Sequence, residues 1–403
     1  MIRLLFHMTQ LRRGGGIESQ LLSWLRALDR RRYSVSLSLA YETADLGDVY
    51  RARIPADVPV HILAPEPWLS EGRRRKLNGR LGWAGLFREE VLMPPLRKRI
   101  FRGRANALAA AHDVVVDFDM SLARFARPPG KPLLGVSHFS LAQRLSGRPR
   151  KYRTASRYYP RYDVVIALCD AMREEGRTLF PRLAERFHTV YPGFDQAELR
   201  QRAAETGQPV PARPYVVAVA RLDETQKDFQ TLLAAFAELV RDPAVVESLV
   251  IVGDGRHRPM LQALARTLGI AGRVTFAGFT ANPLPYVVGA RLLVLSSRHE
   301  GLPTVLIEGL LLGQAMVSSD CPTGPREILD FGRAGLLVPA GDPIALAAAM
   351  KRALTDRSLR AAMKKSAIAH APTFAVTAFR DRFDALLSRV MSDRLPAAGG
   401  AGR

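Results

Sequence analysis

Residues 296–308 read SSRHEGLPTVLIE, and this stretch decides the predicted fold more than any other. An apolar run at 292–295 comes before it, and Gly301 and Pro303 then form a turn before a helical pattern that opens near Thr304. The order strand, turn, helix predicts one unit of a parallel sheet. Backbone amides at the start of such a helix favour an anion, so we expect a phosphate to bind there.

Glu300 and Glu308 are the two carboxylates of this stretch. Glu308 lies about one helical turn beyond the start of the helix, so its side chain can face the same crevice as the turn. A carboxylate there suits the two hydroxyls of a ribose, and Glu300, on the loop, would lie nearer the reacting end of a ligand. The alternative is that both are ordinary solvated glutamates, because this spacing alone is common on helices.

Strand and helix patterns alternate on both sides of this stretch, and 403 residues exceed the length that one hydrophobic core usually serves. A segment rich in proline and glycine at 193–213 separates two such regions. We therefore predict an α/β protein with two Rossmann-like, doubly wound parallel sheets. The predicted parts are a first domain at 1–192, a linker at 193–213, a second domain at 214–375, a C-terminal helix at 376–395 that packs back on the first domain, and a frayed tail at 396–403.

The chain has only two cysteines, Cys169 and Cys321, and neither has a Cys or His companion at metal-ligand spacing. The sequence thus indicates neither a disulfide framework nor a zinc cluster, and it is typical of a reducing cytosol. Residues 1–6 are too brief for a signal-peptide core, and no apolar run is long enough for a membrane-spanning helix.

The net charge is +21, and most of it lies in the first domain. Residues 1–192 hold 34 Lys and Arg against 18 Asp and Glu, whereas the rest of the chain holds 25 against 20. Such a field attracts nucleic acid or the anionic face of a membrane, unless it is merely an arginine-rich surface. At 66–104, Trp68, Trp83 and Phe87 are interleaved with basic residues such as Arg73 to Lys76, which is typical of a helix at a membrane interface. A solvated basic helix packed on its own domain is the alternative.

The sequences EGLPTVLIE and SDCPTGPREIL, the latter at 319–329, resemble those of the GT4-type retaining glycosyltransferases of the GT-B fold. Within that family, the resemblance is to enzymes of bacterial surface-polysaccharide and lipopolysaccharide assembly. It extends over nearly the whole chain and is weakest at 41–104. One departure is Pro192, where the family commonly has Asn.

The resemblance implies a donor site shared by two domains that face each other across a cleft. Arg221 and Lys227 would bind the donor diphosphate, Glu300 and His138 would position the sugar, and Glu308 would hold the ribose. His138 follows the strand pattern at 133–136, although a lone histidine is more often structural. The remaining donor-binding residues implied are Gly15, Gly16, Gly253, Phe279, Gly301, Leu302, Pro303 and Thr304.

The reaction implied is transfer of a sugar, with retention of configuration, from a nucleoside diphosphate sugar to a hydroxyl of a glycan. UDP is the expected carrier and GDP the next; the acceptor would be a lipid-linked, lipopolysaccharide or polysaccharide glycan. We expect no cofactor besides this donor substrate and no metal, because Asp117-Phe118-Asp119 has no further ligand cluster near it in sequence. The expected location is the cytoplasm, peripherally on the inner face of the cytoplasmic membrane.

Two other classes of function remain open at this point. A sugar-nucleotide epimerase or another non-transferase of GT-B shape would share the donor motifs. A nucleic-acid-binding protein would account for the charge, but the chain has no helix-turn-helix, zinc-finger or aromatic-plus-basic strand signature, so we expect no specific nucleic-acid partner.

Overall fold

The computed structural model describes residues 1–12, 16–77, 82–207 and 209–392, with the backbone alone at 73–77. The chain divides into two compact units. The first comprises Met1–Leu168, Arg173–Val190 and Arg380–Arg403, and the second comprises Cys169–Met172 and Tyr191–Phe379.

The first unit is built on a parallel sheet of seven strands in the order β3-β2-β1-β4-β5-β6-β7. Leu4 of the central strand lies opposite Val35 on one side and Val114 on the other. The strand at 114–117 is apolar at three successive positions because both faces of a parallel sheet are covered. The strands are β1 (Ile2–Met8), β2 (Tyr33–Tyr41), β3 (Val60–Ala64), β4 (Val114–Asp117), β5 (Leu133–Ser137), β6 (Val164–Ala167) and β7 (Phe187–Thr189).

The first helix of this unit buries an apolar face that includes Leu21, Trp24 and Leu25. In α1, Trp24 packs edge-on against Phe118, with ring centroids 5.3 Å apart, and against Phe383 of the last helix at 5.6 Å. The helices are α1 (Gly16–Ala27), α2 (Pro67–Leu77), α3 (Trp83–Phe87), α4 (Met93–Ala110), α5 (Leu141–Leu145), α6 (Pro149–Tyr158) and α7 (Asp170–Leu179).

The second unit has a parallel sheet of six strands in the order β10-β9-β8-β11-β12-β13. Val216 of its central strand lies opposite Leu249 and Leu292. Both sheets confirm the predicted α/β class with two doubly wound domains. The strands are β8 (Tyr215–Val219), β9 (Ser248–Val252), β10 (Val274–Gly278), β11 (Leu292–Leu295), β12 (Met316–Ser319) and β13 (Leu336–Val338).

The helices of this part of the chain are α8 (Gln196–Ala203), α9 (Phe229–Leu239), α10 (Arg258–Thr267), α11 (Leu284–Gly289), α12 (Thr304–Leu311), α13 (Pro325–Ile328), α14 (Pro343–Thr355), α15 (Arg357–His370) and α16 (Val376–Ser392). From Arg380 onward, α16 belongs to the first unit, where Arg380 donates to the carbonyl of Ala27. Among the helices of the described residues, none is both long and apolar enough to cross a membrane.

Part of the segment expected as a linker is helical, and its described residues belong to the second unit. It contains α8, which is capped by the Asp195 side chain and buries Leu199. The Asn282 amide donates to the carbonyl of Arg202 at 2.7 Å. One buried leucine and a cap are enough to fold two turns of helix against a neighbour, although the surrounding prolines and glycines suggested a loop.

Candidate active site

The strand orders place one switch point in each sheet. In the first unit, the strands that follow β1 are added on one side of it and those that follow β4 on the other, so the order reverses between β1 and β4. In the second unit, the order reverses in the same way between β8 and β11. Ligands of open α/β sheets bind beyond the carboxyl ends of the strands at such a point. The loops that follow β8 and β11 carry Lys227 and Glu300.

Lys227 and Glu300 form an ion pair in the second unit. The Lys227 Nζ lies 2.5 Å from the Glu300 Oε1, and the two side chains are only 16% and 6% exposed. Ser297 Oγ donates to the same carboxylate at 2.5 Å, and Gln226 Nε2 donates at 3.3 Å. The backbone of Glu300 is held as well, since Thr323 Oγ1 donates to its carbonyl at 2.6 Å. The carboxylate is therefore fixed from several sides.

The backbone around Lys227 is held equally firmly. Asp228 follows it in the left-handed region, with φ of 49°, and caps α9. Arg298 binds the Asp228 carboxylate, with Nε 3.0 Å from Oδ2, and Ser296 Oγ donates to the Lys227 carbonyl at 2.9 Å. Both loops of the switch point are thus tied together around the ion pair.

Arg221 lies on the same loop as Lys227 but outside this cluster. Its side chain is 58% exposed, and its guanidinium lies 3.7 Å from the Asp223 carboxylate. Among the described residues it forms no ion pair with Glu300. The predicted pairing of Arg221 and Lys227 on one diphosphate therefore remains a prediction, and the contact that the structure brings together is Lys227 with Glu300.

The turn before α12 is buried. Gly301, Leu302 and Pro303 are buried, Thr304 begins the helix, and the N-cap residue, Pro303, has no side-chain group that could cap the first turn. The loop at 319–329 packs against this turn: a Cβ on Gly324, whose φ is 89°, would lie 2.5 Å from the Gly301 carbonyl oxygen. Glu308 is the fifth residue of α12 and is half-buried.

Gly253 and Phe279 occupy the loops after β9 and β10. Gly253 has a φ of 137°, and a Cβ there would lie 2.0 Å from the Ala220 carbonyl oxygen, so the β9 loop approaches the end of β8 closely. Its amide donates to Gly278 at 2.8 Å. Phe279 exposes about half of its surface, as an aromatic ring that could stack on a base would.

In the first unit, His138 follows β5 and is buried. Its Nε2 lies 2.6 Å from the carbonyl oxygen of Phe118, and its Nδ1 lies 2.8 Å from the side-chain amide of Gln20. Burial lowers the pKa of His138 to about 4, so the ring is neutral at pH 7. Both ring nitrogens thus face oxygens, the Phe118 carbonyl and Gln20 Oε1, and the neutral ring donates to only one of them. A sugar hydroxyl reaches either nitrogen only by replacing one of these partners.

Asp117 and Asp119 use their oxygens within the first unit. Asp117 accepts from Tyr162 Oη at 2.6 Å and from the amides of Ser121 and Ala123. Burial raises its pKa to about 8. Asp119 accepts from the amide of Thr9 at 2.9 Å, which joins the loops after β1 and β4. Among the described residues, no group of three His, Cys, Asp or Glu side chains could hold a metal ion.

The glycine loop is described only in part. Gly16 is the first residue of α1, whereas Gly15 lies outside the described residues. Arg12 donates its amide to Glu18 Oε1 at 3.1 Å, so the end of the β1 loop is bound to α1 on the far side of the glycines.

Sequence reasoning missed the residues that hold the predicted ones in place. Ser297 and Gln226 bind Glu300, and Gln20 binds His138. A signal existed for Gln20, because it interrupts the apolar face of α1 at a position between Ile17 and Trp24 that is buried. No spacing rule identifies Ser297 or Gln226, since their contacts depend on how two loops meet.

Comparison with known proteins gives two family matches. Residues 14–198 match the model described as Glycosyltransferase Family 4, and residues 213–356 match the one described as Glycosyl transferases group 1. The lipopolysaccharide core biosynthesis glycosyltransferase LpsE of Rhizobium meliloti is 32% identical over 209 residues, which are 52% of this chain and 59% of that protein. An N-acetylgalactosaminyltransferase of Campylobacter jejuni, named for a saccharide on diphospho-undecaprenol, is 30% identical over 54% of this chain and 57% of its own. The matched regions thus cover less than two thirds of these relatives.

Solved structures share the fold at lower sequence identity. HepE of Anabaena, solved in complex with UDP, superposes with a TM-score of 0.72 at 21% identity, over 96% of this chain and all of that one. The apo form of the lipopolysaccharide outer core galactosyltransferase WaaB gives a TM-score of 0.68 at 17% identity, over 96% of this chain and all of its own. Together with the two parallel sheets, these matches identify the chain as a member of the GT4-type glycosyltransferases of the GT-B fold.

Proposed function

We propose that this protein transfers a sugar from a UDP-sugar to a hydroxyl of a lipid-linked, lipopolysaccharide or polysaccharide glycan, with retention of the anomeric configuration. The observation that carries the proposal is the Lys227–Glu300 pair at the β8–β11 switch point. It places a cation and a fixed carboxylate where an α/β sheet binds nucleotides.

Lys227 supplies the charge stabilisation that the reaction needs. When the bond from sugar to diphosphate breaks, negative charge develops on the leaving oxygen, and a cation already in place lowers the barrier. In this proposal the Lys227 ammonium also contacts the diphosphate, while Ser297 and Gln226 continue to donate hydrogen bonds to the Glu300 carboxylate. Arg221, with its exposed guanidinium on the same loop, moves to the outer phosphate oxygens.

The other donor contacts follow from the loops of the second unit. Glu308 accepts from the ribose hydroxyls, and the backbone at Gly301 to Thr304 contacts the phosphates. Gly253 allows the loop to approach the nucleotide, and Phe279 covers the base. UDP as carrier is supported by the complexes of HepE with UDP and with UDP-glucose.

Retention requires that the attacking hydroxyl approach the same face that the diphosphate leaves. A double displacement would need a carboxylate able to attack the sugar, as in two-carboxylate glycosidases. Glu300 is instead held by a lysine, a serine and a glutamine, which lowers its nucleophilicity. In our proposal the leaving diphosphate accepts the proton of the acceptor hydroxyl, and Glu300 orients the sugar.

The acceptor side is assigned to the basic first unit. The names of the relatives from Rhizobium and Campylobacter give lipopolysaccharide core and diphospho-undecaprenol saccharides, which supports a glycan acceptor on a lipid. Around α3 and the start of α4, the side chains of Trp83, Phe87 and Leu92 are exposed beside Arg88 and Arg99. Exposed rings beside arginines suit the headgroup region of an anionic membrane, so we place the enzyme on its cytoplasmic face.

The test is a product assay on the purified chain. Nucleotide sugars that raise its melting temperature are first selected from a panel of UDP- and GDP-sugars. Each is then incubated with a lipid-linked or lipopolysaccharide-core acceptor, and we expect UDP release that depends on the acceptor, together with an α-linked product from an α-linked donor by NMR. Conversion of the nucleotide sugar to its epimer without consumption of acceptor would contradict this proposal and indicate a sugar-nucleotide epimerase. A product of opposite configuration would refute retention alone.

A further inference from the structure

The first unit contains a cavity of about 530 Å³ whose lining includes His138. Its volume falls in the range of about 300–1,000 Å³ that is usual for small-molecule sites. Tyr158, Tyr159 and Tyr162 form part of its wall. Tyr158 and Tyr159 are partly exposed, and amphipathic rings of this kind can pack against the apolar face of a sugar, whereas Tyr162 is buried and donates to Asp117.

Four cations line the same cavity: Arg124, Arg144, Arg150 and Lys151. All four are exposed, and none forms an ion pair with a carboxylate among the described residues. Burial raises the pKa of Tyr159, and the positive charges of Arg144 and Arg124 act against that rise, so their field reaches the tyrosine wall. The one carboxylate of the lining, Asp119, is already bound by Thr9 and Ser121.

The charge of the surrounding sequence has one sign. Residues 120–162, which supply most of the lining, contain ten Lys and Arg and no Asp or Glu. Cations that face one another in a concave site repel, and an anion bound between them relieves that repulsion. Arginine guanidinium groups bind carboxylate and phosphate through paired hydrogen bonds, which a neutral sugar cannot match.

We infer that this cavity is the acceptor site and that it recognises an acidic group, phosphate or carboxylate, on the acceptor sugar. The inference rests on the proposed function and adds to it the chemical class of the acceptor. His138, which by the resemblance would position the transferred sugar, is part of the lining. The cations line a cavity with a tyrosine wall, whereas the apolar and basic side chains around Trp83 lie on an exposed surface.

Binding to the full chain can be measured by calorimetry with UDP at saturation, so that the donor phosphate site is occupied. The probes are glucose 6-phosphate, glucuronate and glucose, which separate a phosphate from a carboxylate and both from a neutral ring. We expect at least one acidic sugar to bind about tenfold or more tightly than glucose. The salt dependence of that affinity should exceed that of glucose.

Variants on α6 identify the site. Arg150→Gln/Lys151→Gln should weaken the binding of the acidic sugar by about tenfold, because two charge-assisted contacts are lost. Arg153→Gln is the matched control: it lies on the same exposed helix but does not line the cavity, and we expect a change below about twofold. Melting temperatures of both variants establish that they are folded. In turnover, the double variant should raise the KM for the acceptor while its affinity for UDP stays that of the wild type.

Three results would overturn the inference: glucose binding as tightly as both acidic sugars, equal losses in the double variant and in Arg153→Gln, or a loss of vesicle binding with unchanged sugar affinity. The last would assign the cations to a membrane surface. Failure of the proposed function looks different, because no nucleotide sugar would then bind or turn over, whereas the affinity for an acidic sugar would still depend on Arg150 and Lys151.

Discussion

Lys227 and Glu300 form a buried ion pair whose function is better explained by chemistry than by stability. Both charges lose most of their water, and a buried pair of this kind seldom stabilises a fold more than apolar residues would. The surrounding hydroxyl and amide groups compensate Glu300, so the lysine can share its charge with a ligand. Because the Glu300 carboxylate accepts hydrogen bonds from several donors, it remains paired when the lysine also contacts a ligand.

Replacement of Lys227 by Ala should reduce kcat by about 100-fold to 1,000-fold, which is typical for the loss of a group that stabilises a developing negative charge. The measurement is the initial rate of transfer from a radiolabelled UDP-sugar. Lys351→Ala is the control, because Lys351 pairs with Asp242 at the surface and should leave the rate unchanged. Turnover of Lys227→Ala at the wild-type level would remove Lys227 from the mechanism.

His138 predicts a specific dependence of stability on pH. Burial lowers its pKa from 6.5 to about 4, so the unfolded chain binds more protons than the folded one between these values. Its contribution is therefore complete above pH 6.5 and is lost as the pH falls through about 4. Between pH 7 and pH 5 the wild type should lose about 2 kcal/mol more free energy of unfolding than His138→Gln.

Urea titrations at a series of pH values measure this difference. The lowered pKa of His7 and the raised pKa of Asp117 occur in both proteins, so their effects cancel in the comparison. Parallel pH profiles for the two proteins would mean that His138 is not held neutral by burial.

The loops between strands and helices depend on glycines that approach neighbouring backbone. Gly253→Ala should destabilise the second unit by about 3 kcal/mol or more, because its Cβ would overlap the Ala220 carbonyl at a φ of 137°. Gly103→Ala is the contrasting control. It lies inside α4 with nothing near its Cβ position, so it should stabilise by about 0.5–1 kcal/mol. Thermal unfolding of both variants tests the pair, and a neutral Gly253→Ala would show that the loop can move apart.

The strands and helices were largely predictable because burial on both faces leaves continuous apolar runs such as Val114 to Val116. Helix α8 was not, because a helix of eight residues has little periodicity and is stabilised by packing on its neighbour. The residues of the candidate site also divide into those that could be predicted from the sequence and those that depend on packing. Lys227, Glu300 and His138 could be named from the resemblance to the family together with their positions after strands, whereas their partners Ser297, Gln226 and Gln20 could not.

The net charge of the whole chain determines which surfaces the protein associates with. A field of +21 concentrated in the first 192 residues draws the protein toward anionic surfaces, and residues 83–104 add exposed rings to six Lys and Arg against two Glu. Arg73 to Lys76 lie in α2, where only the backbone is described, so their part in this surface stays a prediction.

Vesicles that contain anionic lipid should co-sediment with the protein, and more weakly as the salt concentration rises. Trp83→Ala/Phe87→Ala should reduce the bound fraction, since Trp83 is 85% exposed and both rings would enter the interface. The control is Ile344→Ala/Ile368→Ala, which removes two apolar side chains of the second unit that are 64% and 62% exposed. Equal losses in both variants, or binding to neutral vesicles alone, would contradict a docking surface at α3.

The amino-acid sequence was sufficient for the α/β class, the two parallel sheets and the family, because each depends on local order: apolar strand, turn, helix, and a few charged residues after the turns. The ion pair of Lys227 with Glu300, the two bonds of His138 and the basic cavity arose only from folding. Lys227 and Glu300 are 73 positions apart, His138 is 118 positions from Gln20, and the residues that line the cavity run from Ile17 to Tyr162. The distances between these residues depend on strand order and loop packing. Those are properties of the assembled sheets, because contacts between distant segments form only when the sheets bring the ends of their strands together.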